Sequence, residues 1–153
     1  MLLWRIASAL YPVWHSDGAR LRGGRWNRPG TPAIYAATSY ASAALEVLMH
    51  ANIGRLPAGF CYVTADVPDD APIARCEAHD LPGWDAQPPA ASGAFGDTWL
   101  REGRALVLLV PSVVTNGLDW NAVVNPLHPD FARIAVGAEH SVQWDPRLLP
   151  QSS

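Results

Sequence analysis

The segment at residues 105–110, ALVLLV, is apolar at every position and limits the possible folds more than any other stretch. It lacks the alternation of a half-exposed strand and is too short for a buried helix, so it reads as a central strand covered on both faces. Pro111 stops it, because a proline cannot donate to a sheet ladder. The chain must therefore build a sheet around this strand. Further short strands are expected at the N-terminus, at 33–36 (AIYA), at 60–67 (FCYVTADV) and near 122–124, 133–136 and 140–144.

Helices are fewer. Thr38 or Ser39 offers an N-cap for a helix running to about His50, in which Ala41, Ala44, Leu45 and Leu48 are spaced as a buried stripe. Glu46 falls beside that stripe, about 140° from its centre. A short helix is expected around 97–102. Residues 80–96, rich in Pro, Gly and Ala, read as an irregular excursion that Trp84 could pin to the body. Residues 146–153 read as an exposed tail. Many strands with few helices, not in regular alternation, give an α+β class with mixed or antiparallel central strands, in a single domain spanning 1–153.

Composition removes several chemistries. All eleven basic residues are arginines. Without lysine there can be no Walker-type phosphate loop, no Schiff base and no Ser–Lys dyad. The formal charge of −3 supplies no positive field for nucleic acid or an anionic membrane. Cys61 and Cys76 form no CxxC, and His15, His50, His79, His128 and His140 show no HxxxH or HExxH spacing, so no metal site is expected. The N-terminus lacks a signal-peptide pattern and no apolar run reaches membrane-spanning length, which sets a cytoplasmic expectation.

Four segments could carry chemistry. ARLRGGRWNRPGTP, at 19–32, packs Arg20, Arg22, Arg25 and Arg28 among glycines. Guanidinium forks grip phosphate oxygens in pairs, and glycine lets backbone approach a ligand. Trp26 beside them offers a flat face for a base or pyridine ring. The bland alternative is a solvated basic turn with Trp26 packed underneath. Glu46 is one of four glutamates; alone it is equally a solvated helix residue. Ser112 lies just past the central strand, where ligand-facing polar groups often sit, although Pro-Ser is also an ordinary turn start and no GxSxG surrounds it. In NPLHPDF, prolines on either side hold His128 rigidly, either for substrate or as a backbone cap.

In order, GGRWNRPGTPAIYAA, an A-x-x-E helix (Ala43 to Glu46), a hydrophobic strand ending in Val-Pro-Ser and N-P-x-H-P-x-F resemble the RES-domain family, from Trp4-Arg5 to about Val142. The three residues for which that family is named match Arg25, Glu46 and Ser112. The resemblance implies a fold similar to ADP-ribosyltransferase toxins, an antitoxin partner of the Xre-like helix-turn-helix type, and a cleft that takes NAD as substrate and breaks its nicotinamide–ribose bond. It further implies transfer of the ADP-ribosyl group to water, phosphate or a protein side chain.

On this reading Arg25 clamps the pyrophosphate or ribose, Glu46 stabilises the oxocarbenium-like transition state, and Ser112 orients the ribose or the nicotinamide amide. Trp26 and Tyr35 are expected to stack near nicotinamide, with Arg5, Asn125 and His128 at the rim. NAD degradation by a glycohydrolase or phosphorylase is the leading expectation and protein mono-ADP-ribosylation the alternative. An RNase, suggested by arginines with a histidine, sits poorly with the negative charge. A module that sequesters a nucleotide without cleaving it is the non-enzymatic alternative.

Overall fold

A computed structural model describes residues 1–51 and 54–148. The strands are β1 (Leu2–Ser8), β2 (Ile34–Ala37), β3 (Phe60–Asp66), β4 (Ile73–Arg75), β5 (Val107–Pro111), β6 (Trp120–Val124), β7 (Ala135–Val136) and β8 (His140–Ser141). They form one mixed sheet in the order β4-β5-β6-β2-β1-β3-β7, with β8 also on β3. The β4–β5 pair is parallel and the other pairs are antiparallel. As its composition requires, β5 is buried at all five positions, between β4 and β6.

One face of the sheet buries Leu3, Ile34, Ala36, Ala65, Leu109, Ala122 and Val124. The other carries two separate clusters. Trp99 and Leu100 of α3 (Ala90–Glu102) cluster with Trp26, Leu108, Val110 and Val123, while Ala43 of α2 (Tyr40–His50) clusters with Ile6 and Ala37. The ground between those clusters becomes the functional cleft.

Several expectations needed revision. The side of α2 that faces the sheet carries Ser42 and Ala43, not the stripe of larger residues; Leu45 is 41% exposed and Ala41 is exposed too. Small side chains let the helix axis approach the sheet, a property that hydrophobic periodicity does not weigh. Ser39 is the N-cap, its hydroxyl accepting the Ser42 amide at 3.1 Å. The helix expected at 97–102 starts seven residues earlier, at Ala90, so the irregular excursion ends at Pro89. Trp84 does pin that excursion, packed half-buried against the α3-side cluster. Residues 129–133 form a short 3₁₀ turn, leaving only Ala135–Val136 as strand, and the last strand stops at Ser141. Arg20 and Arg22 lie on a short helix, α1 (Asp17–Arg22), so the arginine-rich segment is half helix and half loop. Of the tail, Pro146–Leu148 form a 3₁₀ turn and residues 149–153 lie outside the described part.

Candidate active site

β1 and β2 share one register pair, Trp4↔Ala37, and then part. Arg5 occupies the split. Its Nε donates to the Val13 carbonyl in the loop after β1 at 2.6 Å and its Nη1 to the Tyr35 carbonyl of β2 at 2.7 Å, so a guanidinium satisfies one backbone oxygen from each. No carboxylate among the described residues pairs with it, and desolvation pushes its pKa down to about 10. A half-buried guanidinium bonded to neutral carbonyls leaves its charge uncompensated within the protein, the arrangement an anion would complete.

The split opens into a cleft of about 1210 Å³ lined by Arg5, Arg22, Arg25, Tyr35, Glu46 and Asn121, with Val47, His50, Arg55 and Gln87 around it. That exceeds the roughly 300–1,000 Å³ of pockets for drug-sized ligands and suits an extended one. Four of the lining residues are arginines and one is a carboxylate. The electrostatics favour an anion with a single negative charge placed for another purpose.

That charge is Glu46, on the sheet-facing side of α2. Ser112 Oγ donates to its Oε1 at 2.9 Å, and Asn121 Nδ2 donates to the same oxygen at 2.7 Å. Both donors converge on Oε1, so Oε2 keeps its acceptor capacity for the cleft. Two residues picked from sequence, 66 positions apart, thus meet in one hydrogen bond. Ser112 itself is 1% exposed and its hydroxyl hydrogen bond is committed to Glu46. It orients the carboxylate and does not reach the cleft, which revises its expected contact with ribose or nicotinamide.

Arg25 enters from the loop after α1. Its Nη1 donates to the carbonyls of Trp84 (3.1 Å) and Ala86 (2.9 Å), and its Nη2 to Gln87 Oε1 (3.3 Å). The guanidinium ties the 84–87 segment to the Arg25 loop beside the cleft, which Arg25 and Gln87 both line, and its Nε and one Nη2 hydrogen take no part in these bonds. The loop behind it is tightly built. Asn27, 1% exposed, donates through Nδ2 to the carbonyls of Ala19 and Thr31, both at 2.8 Å. The Tyr35 hydroxyl donates to Asn27 Oδ1 at 2.6 Å and accepts the Trp26 amide at 2.9 Å, and Asp97 of α3 accepts the Arg28 amide at 2.9 Å.

The remaining expected residues divide. Trp26 borders the cleft but is only 2% exposed, its ring packed edge-on against Phe95 at 6.1 Å in the α3-side cluster, so almost none of it is open for stacking. Tyr35 does line the cleft, but its hydroxyl is committed to the loop and burial drives its pKa upward. Asn125 and His128 are elsewhere. They follow the end of β6 that is remote from Asn121, where Asn125 Nδ2 donates to the Leu100 carbonyl (3.1 Å) and His128 Nδ1 accepts the Asp130 amide (3.0 Å). His128 is thus a turn histidine bonded to backbone, as the bland alternative has it, although the ring accepts an amide instead of capping a carbonyl. Asn121 and Gln87 were not anticipated. A polar amide near the start of the otherwise apolar β6 (WNAVV) was a readable signal for the first; nothing singled out the second. Among the described residues no group of three or more His, Cys, Asp or Glu side chains is placed to hold a metal ion, and no helix is long and apolar enough to cross a membrane.

Comparison with known proteins agrees with this architecture. The RES domain model matches residues 2–145. The chain belongs to the RES family. It is 39% identical over 155 residues to a "Prs ADP-ribosylating toxin" of Sphingobium sp. (strain YBL2), covering 95% of each chain. It is 38% identical over 141 residues to a "Toxin Res" of Pseudomonas putida (strain KT2440), covering 91% of this chain and 94% of the relative. Among solved structures, the Mycobacterium tuberculosis MbcT–MbcA toxin–antitoxin complex contains a chain with the same fold, at a TM-score of 0.71 and 21% identity, covering 96% of this chain and 85% of that one.

Proposed function

We propose that this RES protein is the toxin of a bacterial toxin–antitoxin pair and that it cleaves the nicotinamide–ribose bond of NAD. The observation that carries the proposal is the pairing of one oriented carboxylate, Glu46, with an unneutralised guanidinium, Arg5, in a single long cleft. A dinucleotide with two phosphates and a cationic leaving ring matches both ends of that arrangement. The relatives' names, "Toxin Res" and "Prs ADP-ribosylating toxin", point to the same class.

Each residue then has a task. Arg5 supplies the positive charge for the pyrophosphate, and Arg25, with Arg22 beside it, fixes the substrate under the 84–87 segment. Nicotinamide leaves readily because departure neutralises its ring, so the residues need not supply a strong acid. What the enzyme adds is a negative oxygen near the anomeric carbon, where positive charge grows: Glu46 Oε2. That interaction is stronger in the transition state than in the ground state, which is the condition for raising turnover. Ser112 keeps the carboxylate aimed. The proposed compartment is the cytoplasm, and the proposed partner an Xre-like helix-turn-helix antitoxin that blocks the cleft, since an unrestrained NAD-consuming enzyme would halt its own host. With a formal charge of −3, the toxin alone gives DNA no electrostatic purchase.

A second reading keeps the cleft and changes the acceptor. The Sphingobium relative is named as an ADP-ribosylating toxin, and transfer of ADP-ribose to a protein side chain uses the same bond cleavage. The deciding experiment incubates the purified chain with NAD and follows nicotinamide, ADP-ribose, ADP-ribose-1″-phosphate and label on cell protein together. Nicotinamide released in step with one of the last three supports the cleavage and names the acceptor. No nicotinamide release under any acceptor condition refutes it.

A further inference from the structure

Asn121 sits in β6 opposite Ala37 of β2 and Val110 of β5, with fully buried Ala122, Val123 and Val124 following it. An apolar side chain would suit that setting. The amide instead donates from Nδ2 to Glu46 Oε1 at 2.7 Å, while its Oδ1 is buried with no hydrogen-bond partner. Exchanging the two amide atoms would place oxygen against carboxylate oxygen, so Glu46 sets the amide's orientation. A buried carbonyl left unpaired works against folding, and a residue kept despite that cost serves something besides the fold.

We propose that Asn121 is a positioning residue for the cleavage reaction, acting only through Glu46; the inference rests on the reading of Glu46 given above. The terminal torsion of a glutamate is soft, so a carboxylate held at one point can still swivel. Here two donors hold one oxygen, and they are fixed relative to each other by the sheet. Ser112 follows β5, Asn121 lies in β6, Pro111 pairs with Trp120, and the Ser112 amide donates to the Asp119 carbonyl at 2.9 Å. The ladder is the rigid bracket, and Oε2 is presented because Oε1 is held twice.

The test compares Asn121→Ala, Asn121→Asp, Glu46→Ala and the Asn121→Ala/Glu46→Ala double variant with wild type. Nicotinamide release at saturating NAD, NAD affinity by calorimetry and melting temperature are measured for each. Asn121→Ala should lower kcat by about 10- to 100-fold, the value of one charge-assisted hydrogen bond felt fully in the transition state. NAD affinity should stay within about twofold, and melting should be unchanged or higher because an orphan carbonyl has gone. Asn121→Asp, nearly isosteric, should be impaired at least as much, since it replaces the donor with a second carboxylate. On the Glu46→Ala background, Asn121→Ala should change kcat by less than about twofold.

Wild-type turnover in Asn121→Ala and Asn121→Asp, or an equal loss with and without Glu46, overturns the proposal. So does a lowered melting temperature accompanied by loss of NAD binding, the pattern of a merely structural role. Failure of the underlying reading looks different: Glu46→Ala itself would then turn over NAD normally.

Discussion

Helix α3 carries two glycines three residues apart, and the structure predicts opposite consequences for filling them. A Cβ added at Gly96 would lie 1.7 Å from the Trp26 carbonyl oxygen and 2.6 Å from its carbon, with backbone on both sides of the contact. No rotamer change relieves that. The helix and the Arg25 loop must separate by on the order of 1.5 Å to reach a normal carbon–oxygen distance. Helix propensity alone favours alanine by about 1 kcal/mol. Overpacking of a rigid site costs about 1–3 kcal/mol or more, and a backbone–backbone collision belongs at the upper end. The clash wins, with a net loss of about 2 kcal/mol or more, or roughly 4–8 °C of melting temperature for a chain this size. At Gly93 the nearest atom to an added Cβ is 3.8 Å away, an ordinary contact. There propensity acts unopposed, and Gly93→Ala should stabilise by about 0.5–1 kcal/mol. The assay is a pair of urea and thermal melts, with nicotinamide release measured alongside. Gly96→Ala should also lose activity, because the displaced loop carries Arg25. Equal melting temperatures for the two variants would refute the close crossing of α3 over residues 23–28.

Other expectations follow from single contacts. Arg25→Lys should be nearly as impaired as Arg25→Ala in nicotinamide release, because an ammonium cannot hold the carbonyls of Trp84 and Ala86 and face an anion together; full activity of the lysine variant would contradict the dual role. Tyr35→Phe leaves Asn27 Oδ1 and the Trp26 amide without a partner, so denaturant melts should show a loss of about 1–3 kcal/mol. Inorganic pyrophosphate should raise the melting temperature of wild type and leave that of Arg5→Met unchanged, by the linkage that stabilises any ligand-binding native state; an equal rise in both would place the anion elsewhere.

What could be read from the sequence depended on whether one segment carried its own signal. The β5 run declared a buried central strand without help from the rest of the chain. Ser39 marked the start of α2 to within a residue. Glu46 and Ser112 were identifiable through family resemblance, but their hydrogen bond was not, since it joins a helix to a strand end far along the chain. The inward side of α2 was misread because its closest approach uses Ser42 and Ala43, and periodicity gives weight to bulk. The first turns of α3 were missed because two glycines depress helix propensity, although Gly96 is what lets the helix cross the Trp26 carbonyl. Trp26 looked like a stacking platform because aromatic type says nothing about burial. Asn125 and His128 were expected at the rim through the family resemblance, yet β6 carries the chain roughly 13 Å from Asn121 to the other end of the strand, where both residues lie.

The most direct test of the central claim is turnover of Glu46→Gln. The amide retains the volume and one acceptor oxygen for Ser112 and Asn121, and it removes the charge. Nicotinamide release at saturating NAD should fall by about two to three orders of magnitude, the loss expected for one electrostatic stabiliser. NAD affinity should move far less, because ground-state ribose does not need the charge. Glutamine turnover equal to wild type, with folding intact, would contradict the account and leave Glu46 as a hydrogen-bonded helix residue with no part in bond cleavage.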